Sequence, residues 1–390
     1  MMVSGLGEEE TLVKIREIRA AGLRGKTPAG GWSHELMPSD VVHTLIAVHT
    51  EDGLVGVGSV FTSEALVLAS LELLDGLLIG ENALEPERVS EQLHQHTFWQ
   101  GRGGAVTHTI SGIDIALWDI LGQVTGQPVA RLLGGVYRDR VRPYASVLMD
   151  QPDVLVPRLL ALREAGFTAF KIGWGPFGRG SNALDEAMVS AARETIGPDA
   201  LLAVDAGGSD AYWHRDFKWA LNTSNMLQDH DVAWFEEPLS PDDLSGLAAL
   251  TAASGVPISG GEVLTRRQSF QPYLQGRLVD IIQPDVTKVG GISEFRRIAQ
   301  SAQDQHVRVI PHGWNTAVGL AADLHLAGAL PSTDLVEYCT GSAYIDGIVA
   351  QPWVLDADGM LAIPTGPGLG LSLDGEAIRQ YTGDHDLFTP

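Results

Sequence analysis

Three carboxylates in a chain of 390 residues each follow a short apolar run: Asp205 in Val204-Asp205-Ala206, Glu236 in Trp234-Phe235-Glu236-Glu237-Pro238, and Glu262 in Ile258-Ser259-Gly260-Gly261-Glu262. They are 31 and 26 residues apart. Each interval holds a buried strand, a loop, a covering helix and the return to the next parallel strand. If the strands lie side by side, three anions meet at one end of a sheet and repel one another unless a cation lies between them. A set of few oxygen ligands that leaves positions for water and substrate suits Mg²⁺. One acid at a strand end is ordinary surface chemistry, whereas three in step ask for a common purpose.

Other polar residues keep the same step. Lys171 follows Phe170, Asp285 follows Pro284, His312 follows Pro311 and Glu337 follows Val336. From Lys171 through the three acids to Glu337 the intervals are 34, 31, 26, 23, 27 and 25 residues, close to one strand-and-helix unit. In a closed barrel of parallel strands the catalytic groups come from the C-terminal ends of several strands, so seven residues in phase predict one shared pocket.

The elements that must carry them can be read from periodicity. Apolar runs at 141–147, 169–172, 202–204, 233–235, 257–259, 281–283, 308–310 and 335–336 alternate with helical patterns such as 153–164, 183–195 and 293–303. Eight such units match a (β/α) barrel, with a seven-unit variant as the alternative. Before them, alternation from Leu12 to Gly58 predicts strands, with a hairpin of 41–50 and 54–58. Helical spacing follows at 65–78, 89–98 and 110–121, broken by Gly101-Arg102-Gly103-Gly104. Gly56-Val57-Gly58 lacks the third glycine and helix start of a dinucleotide fingerprint and reads as a β-turn exit. The Gly-, Pro- and Ser-rich segment 21–38 reads as a lid or binding loop. The expected class is α/β: a modified TIM (β/α) barrel under an α+β capping domain. Residues 1–138 form the cap, 139–348 the barrel, and 349–390 return to the cap.

Composition bounds the partners. With 26 basic and 49 acidic residues the formal charge is −23, which repels phosphate backbones and anionic lipid surfaces. Neither nucleic acid nor membrane is an expected partner. The stretch 317–330 is broken by Asp323 and His325 and is too short for a span. The acidic opening 1–10 is not a secretory signal. Cys339 is the only cysteine, which rules out an internal disulfide, fits the cytoplasm and reads as a packed thiol in a strand.

The motifs Gly112-Ile113-Asp114-Ile115-Ala116-Leu117-Trp118-Asp119, Leu132-Leu133-Gly134-Gly135, Glu236-Glu237-Pro238, Gly261-Glu262, Asp285-Val286-Thr287-Lys288-Val289-Gly290-Gly291 and His312 resemble, in order and over nearly the whole chain, the mandelate racemase branch of the enolase superfamily. The resemblance implies a cap built from both termini, Mg²⁺, and removal of the proton beside a carboxylate. It implies Asp205, Glu236 and Glu262 as metal ligands and His312, paired with Asp285, as the base. Lys171 becomes a cation beside the substrate carboxylate, Glu337 a protonated donor to it, and Glu237 a structural acid pointing away along its strand. It also implies a symmetric homo-oligomer.

Three departures narrow the chemistry. Members that lactonise muconate or epimerise dipeptides carry a Lys at the end of the sixth strand, where this chain has Asp285. Racemases of the mandelate type carry a second Lys two residues after the first, where this chain has Gly173; the His some sugar-acid dehydratases use two residues after Asp205 is replaced by Gly207. One base favours loss of a β-hydroxyl over inversion. The expected reaction is dehydration of a small carboxylate, an aldonate, to its 2-keto-3-deoxy acid. The alternatives are an epimerase, racemase or cycloisomerase of the same superfamily, or a sugar-acid binding protein without catalysis. Trp174, Phe177 and Arg179, in the loop 174–181, are candidates to line the distal pocket.

Overall fold

Alternating apolar residues at 15–22, 44–50 and 55–60 place one side of each strand on a common core. They form an antiparallel sheet of β1 (Ile15–Gly22), β2 (Thr44–Thr50) and β3 (Val55–Val60) in the order β1-β2-β3. The computed structural model describes residues 12–24, 42–210, 213–383 and 385–389. Most of the expected loop 21–38 and the first hairpin residue, Val41, therefore lie outside the described residues.

Helices α1 (Glu64–Leu78), α2 (Pro86–His96) and α3 (Ala105–Thr125) cover this sheet, followed by the short α4 (Val129–Leu132). Pro86 opens α2, where its missing N–H costs nothing. Gly126, in the left-handed region, closes α3. Helix α3 lies so close to β3 that a Cβ at Gly58 would fall 1.8 Å from the Gly112 carbonyl oxygen, and one at Gly56 2.2 Å from that of Ala116. Gly56-Val57-Gly58 is thus the middle of a strand packed flush on a helix, rather than a β-turn exit.

The second unit runs β4 (Arg140–Leu148), α5 (Pro152–Glu164), β5 (Ala169–Gly173), α6 (Asn182–Ile196), β6 (Leu201–Asp205), α7 (Phe217–Asp229), β7 (Phe235–Glu236), α8 (Leu244–Ala253), β8 (Ile258–Gly260), α9 (Arg266–Gln275), β9 (Ile281–Ile282), α10 (Gly291–Asp304), β10 (Arg308–Val309), α11 (Ala317–Ala329) and β11 (Leu335–Cys339). The short α12 (Ala343–Asp346), β12 (Leu361–Ala362) and α13 (Gly375–Thr382) follow. Eight parallel strands pair in the order β10-β9-β8-β7-β6-β5-β4-β11, and β12 adds antiparallel to β4. The enclosed side is plugged by Tyr144, Ala169, Ala203, Trp234, Ile281, Ile310 and Leu335, a hydrophobic cluster separate from the one beneath the helices.

The motif in α3 holds the two units together. Asp114 accepts from Ser293 N at 2.9 Å and Ser293 Oγ at 2.5 Å, at the start of α10, and Trp118 Nε1 donates to the same Oγ at 3.0 Å. Asp119 accepts from Val57 N at 3.1 Å in β3 and from Leu369 N at 2.8 Å in the tail. Beyond Leu369 the tail reaches the cap sheet, where Arg24 N donates to Tyr381 O and His49 Nε2 to Leu387 O, both at 2.8 Å. Among the described residues no helix is long and apolar enough to cross a membrane.

Candidate active site

Side chains along a strand alternate between faces, so the residue two past each plug residue points to the same enclosed side, one layer nearer the strand end. Ala169 leads to Lys171, Ala203 to Asp205, Trp234 to Glu236, Ile281 to Gln283, Ile310 to His312 and Leu335 to Glu337. This register places five of the seven predicted residues at one end of the sheet, and Glu262 and Asp285 follow β8 and β9 at the same end; Lys171, Asp205, Glu236, Glu262, Asp285, His312 and Glu337 are each 7% exposed or less.

Asp205, Glu236 and Glu262 each offer an oxygen within 4.8 Å of the others. At that spacing each pair of charges repels by on the order of 3 kcal/mol at an effective dielectric of about 20. Lys171 Nζ answers part of this, at 2.6 Å from Glu236 Oε1 and 3.5 Å from Asp205 Oδ2, and also meets Glu337 Oε1 at 3.0 Å. One ammonium against three acids leaves charge uncompensated. Burial, then the Glu236 charge, push the Asp205 carboxyl well above its usual range despite Lys171. The oxygen-only donor set and this residual charge fit a divalent ion.

The acids are oriented by neutral donors. Trp234 Nε1 and Gln283 Nε2 donate to Glu236 Oε2 at 3.0 and 2.7 Å. Gly207 N and Trp174 Nε1 donate to Asp205 at 2.8 and 3.1 Å. Gln283 is a site residue that sequence reasoning missed, although the two-residue offset from Ile281 was a signal for it, and Trp174, a candidate for the distal pocket, bonds to Asp205. Trp174, at φ +59°, turns its ring over Gly207, where a Cβ would lie 2.8 Å from the indole. Gly173 has even less room, since a Cβ there would fall 2.4 Å from Asp205 Cβ. This backbone excludes any side chain at the place of the second lysine.

On the other side, His312 Nδ1 lies 2.7 Å from Asp285 Oδ2. Thr287 N and Oγ1 donate to Asp285 Oδ1 at 2.7 and 2.6 Å. Burial raises the Asp285 pKa, but the His312 bond and Lys288 outweigh it and hold the carboxyl at about 2. As an ionised carboxylate it only accepts, so Nδ1 carries the ring proton and Nε2 faces Glu262, 3.3 Å from its Oε2. Burial opposes a charged imidazole, yet Glu262 and Asp285 prevail over it and over Lys288, and the His312 pKa is raised.

Three expectations change here. Glu337 is placed as an acceptor: Lys171 Nζ and the Gly313 N–H meet its two oxygens at 3.0 and 2.7 Å, and although burial raises its pKa, Lys171, His312 and that N–H bring it to about 2. Glu237 does not continue the strand outward. It takes φ +43° and accepts from Ser209 N at 3.3 Å, and burial followed by the Glu262 and Asp205 charges raises its pKa well above the ordinary value. Phe177 and Arg179 are engaged within the protein. Phe177 is fully buried against Trp219 and Phe235, and Arg179 is tied to Asp210 at 2.8 Å and stacked on Trp213.

Residues 156–378 match the family model described as enolase C-terminal domain-like, and 38–134 match the mandelate racemase / muconate lactonizing enzyme N-terminal domain. The chain is 33% identical over 354 residues to D-galactarolactone cycloisomerase of Agrobacterium fabrum, covering 87% of this chain and 91% of the relative. It is 30% identical over 357 residues to D-xylonate dehydratase of Haloferax volcanii, covering 86% and 84%. Among solved structures, the 3,6-anhydro-D-galactonate cycloisomerase of Zobellia galactanivorans superposes with a TM-score of 0.84 at 30% identity, covering 94% of this chain and 99% of that one.

Proposed function

We propose, from the premise that this chain belongs to the mandelate racemase subgroup of the enolase superfamily, that it dehydrates a sugar acid of the aldonate class to a 2-keto-3-deoxy acid. The observation that carries this reading is the pairing of His312 with Asp285 opposite a position, Gly173, that admits no side chain.

His312 Nε2 takes the proton from the carbon beside the substrate carboxylate, and the C–H electron pair becomes the new carbon–carbon π bond. Asp285 stabilises the imidazolium and keeps the ring in its Nδ1–H tautomer. The proton on Nε2 then passes to the β-hydroxyl, which departs as water and leaves an enol that tautomerises to the 2-keto-3-deoxy acid. Lys171 supplies N–H bonds to the carboxylate as its charge grows, and Glu337 holds Lys171 and the Gly313 N–H in place. Asp205, Glu236 and Glu262 would hold Mg²⁺, which when bound lends Lewis-acid stabilisation to the substrate carboxylate. The same family premise supports a symmetric homo-oligomer, which light scattering would contradict by finding only a 41.7 kDa species.

A second reading is favoured by the two cycloisomerase relatives: the group expelled is a ring oxygen rather than hydroxide. A panel of aldonates, aldarates and their lactones, incubated with enzyme and Mg²⁺ and followed by mass spectrometry, separates the two. Dehydration gives a 2-keto acid lighter by one water, and cycloisomerisation an isomer of unchanged mass. Inversion of the α-carbon with no keto acid from any member of the panel overturns both.

A further inference from the structure

Lys288 lies three residues past Asp285 and has no part in the reaction above. Its Nζ is 3.7 Å from Asp285 Oδ2, the oxygen that accepts from His312 Nδ1. The other oxygen is filled by Thr287. Among the described residues Lys288 Nζ has no other carboxylate within 4 Å and no hydrogen bond, although the residue is only 6% exposed.

The far side of the ammonium is closed by the cap. The ring of Phe61, one residue beyond β3, lies 4.1 Å from Nζ. His43 meets that ring edge-on at 5.0 Å. Burial brings His43 and His108 each down to about 4, so both imidazoles beside Lys288 are neutral. The same edge of the cap docks beyond the base, where Thr316 Oγ1 donates to Ser59 Oγ at 2.9 Å.

Taking an ammonium out of water is costly, and a cation–π contact returns only part of that cost. Packing alone would be served better by methionine, so the lysine is explained by what it does to Asp285. We propose that Lys288 is a positioning residue for the His312–Asp285 dyad: it shares Asp285 Oδ2 with the imidazole N–H, is pressed there by Phe61, and thereby makes the orientation of the base depend on the docked cap. This rests on His312 being the base.

The test compares Lys288→Met, Lys288→Arg, Phe61→Leu and the Met/Leu double variant on the sugar acid that the panel identifies. A misplaced base costs up to roughly 100-fold, so Lys288→Met should lower kcat by about 10- to 100-fold with KM within about threefold. Lys288→Arg should recover most of the loss. Phe61→Leu should lower kcat less, and nothing further once Lys288 is Met. A readout that needs no substrate is the downfield Nδ1–H proton signal of His312, assigned by its absence in His312→Asn. Lys288→Met should move it further downfield, because Asp285 Oδ2 is no longer shared. Unchanged kcat in Lys288→Met, multiplying losses in the double variant, or an unmoved proton signal each overturns the proposal. A silent panel sinks the dehydratase reading and leaves the proton signal to decide this one.

Discussion

On the β6 to β8 side of the site, Asp205, Glu236 and Glu262 crowd to within 4.8 Å with Lys171 as their cation, and Asp205 is driven well above its usual pKa. On the β9 to β11 side, Asp285 and Glu337 are as deeply buried, yet each meets a cation and an N–H of this chain and both are held at about 2. Burial is the same; the donors differ. The second side is electrostatically complete in the polypeptide, while the first requires a charge that the chain does not supply. The side whose acids outnumber their one cation is the one proposed to hold a metal, and the side whose acids are balanced is the one proposed to move a proton.

The strongest way to break that division is to remove the proton carrier. His312→Asn should lose turnover by roughly 10²- to 10⁴-fold, the usual contribution of a positioned base. Mg²⁺ affinity measured by calorimetry should stay near wild type, because no ligand is altered. Turnover near the wild-type rate would mean that another base faces the substrate.

Next come opposite signs of stability on the two sides. Without metal, Asp205→Asn should raise the thermal midpoint by relieving repulsion, whereas Asp285→Asn should lower it by weakening the only acceptor of the His312 N–H. Mg²⁺ at about 100 times its Kd should stabilise the wild type by about 2.7 kcal/mol and Asp205→Asn far less. Equal responses of the two variants to metal would erase the distinction. A smaller effect is expected at Trp174→Phe, which keeps the ring over Gly207 but deletes the N–H to Asp205. Mg²⁺ affinity should fall about 10-fold, at the low end for a group that orients a ligand, and unchanged affinity would make that bond incidental.

How much of this was legible beforehand follows from what each residue depends on. The seven residues in phase were readable because strand-and-helix units have a nearly constant length and each strand ends at the same face. The exclusion at Gly173 was not, because it arises from the register of β5 on β6, which sets Gly173 opposite Asp205. Gly56 and Gly58 were misread for the same reason, since the helix that crowds them lies more than fifty residues on. Trp174 and Glu237 turn through left-handed backbone, which strand alternation does not anticipate. The protonation of Glu337 depended on where Lys171 and the Gly313 N–H would fall, a three-body matter that strand ends alone do not fix.

The smallest effect tests whether a raised carboxyl by itself marks a metal site. Asp114 is buried without a cation, and burial, only partly offset by the Ser293 bonds, lifts it from 3.8 to about 8. It keeps two donors from Ser293, however, and is outside the cluster of acids whose oxygens converge, although the Glu294 and Glu87 charges also raise it. Between pH 4 and 8 the folded protein keeps a proton here that the unfolded chain has released, so this contribution to stability falls as pH rises, by up to about 1.4 kcal/mol per pH unit. Asp119, lifted to about 6, acts with the same sign but is exhausted above that pH. The histidines held near 3 to 4 in the fold, His43, His94, His108 and His325, act with the opposite sign and are finished near their unfolded value of 6.5. The window from pH 6.5 to 8 therefore isolates Asp114 from these groups. Asp114→Asn cannot ionise and cannot accept from both Ser293 donors. Its midpoint should sit below wild type at pH 5, by the equivalent of about 1 kcal/mol for one lost hydrogen bond, and should close on or pass wild type by pH 8. Mg²⁺ affinity should not move. Parallel melting curves across that window would show that Asp114 is ionised throughout, and the distinction between a lone buried acid and a metal cluster would have to be drawn on other grounds.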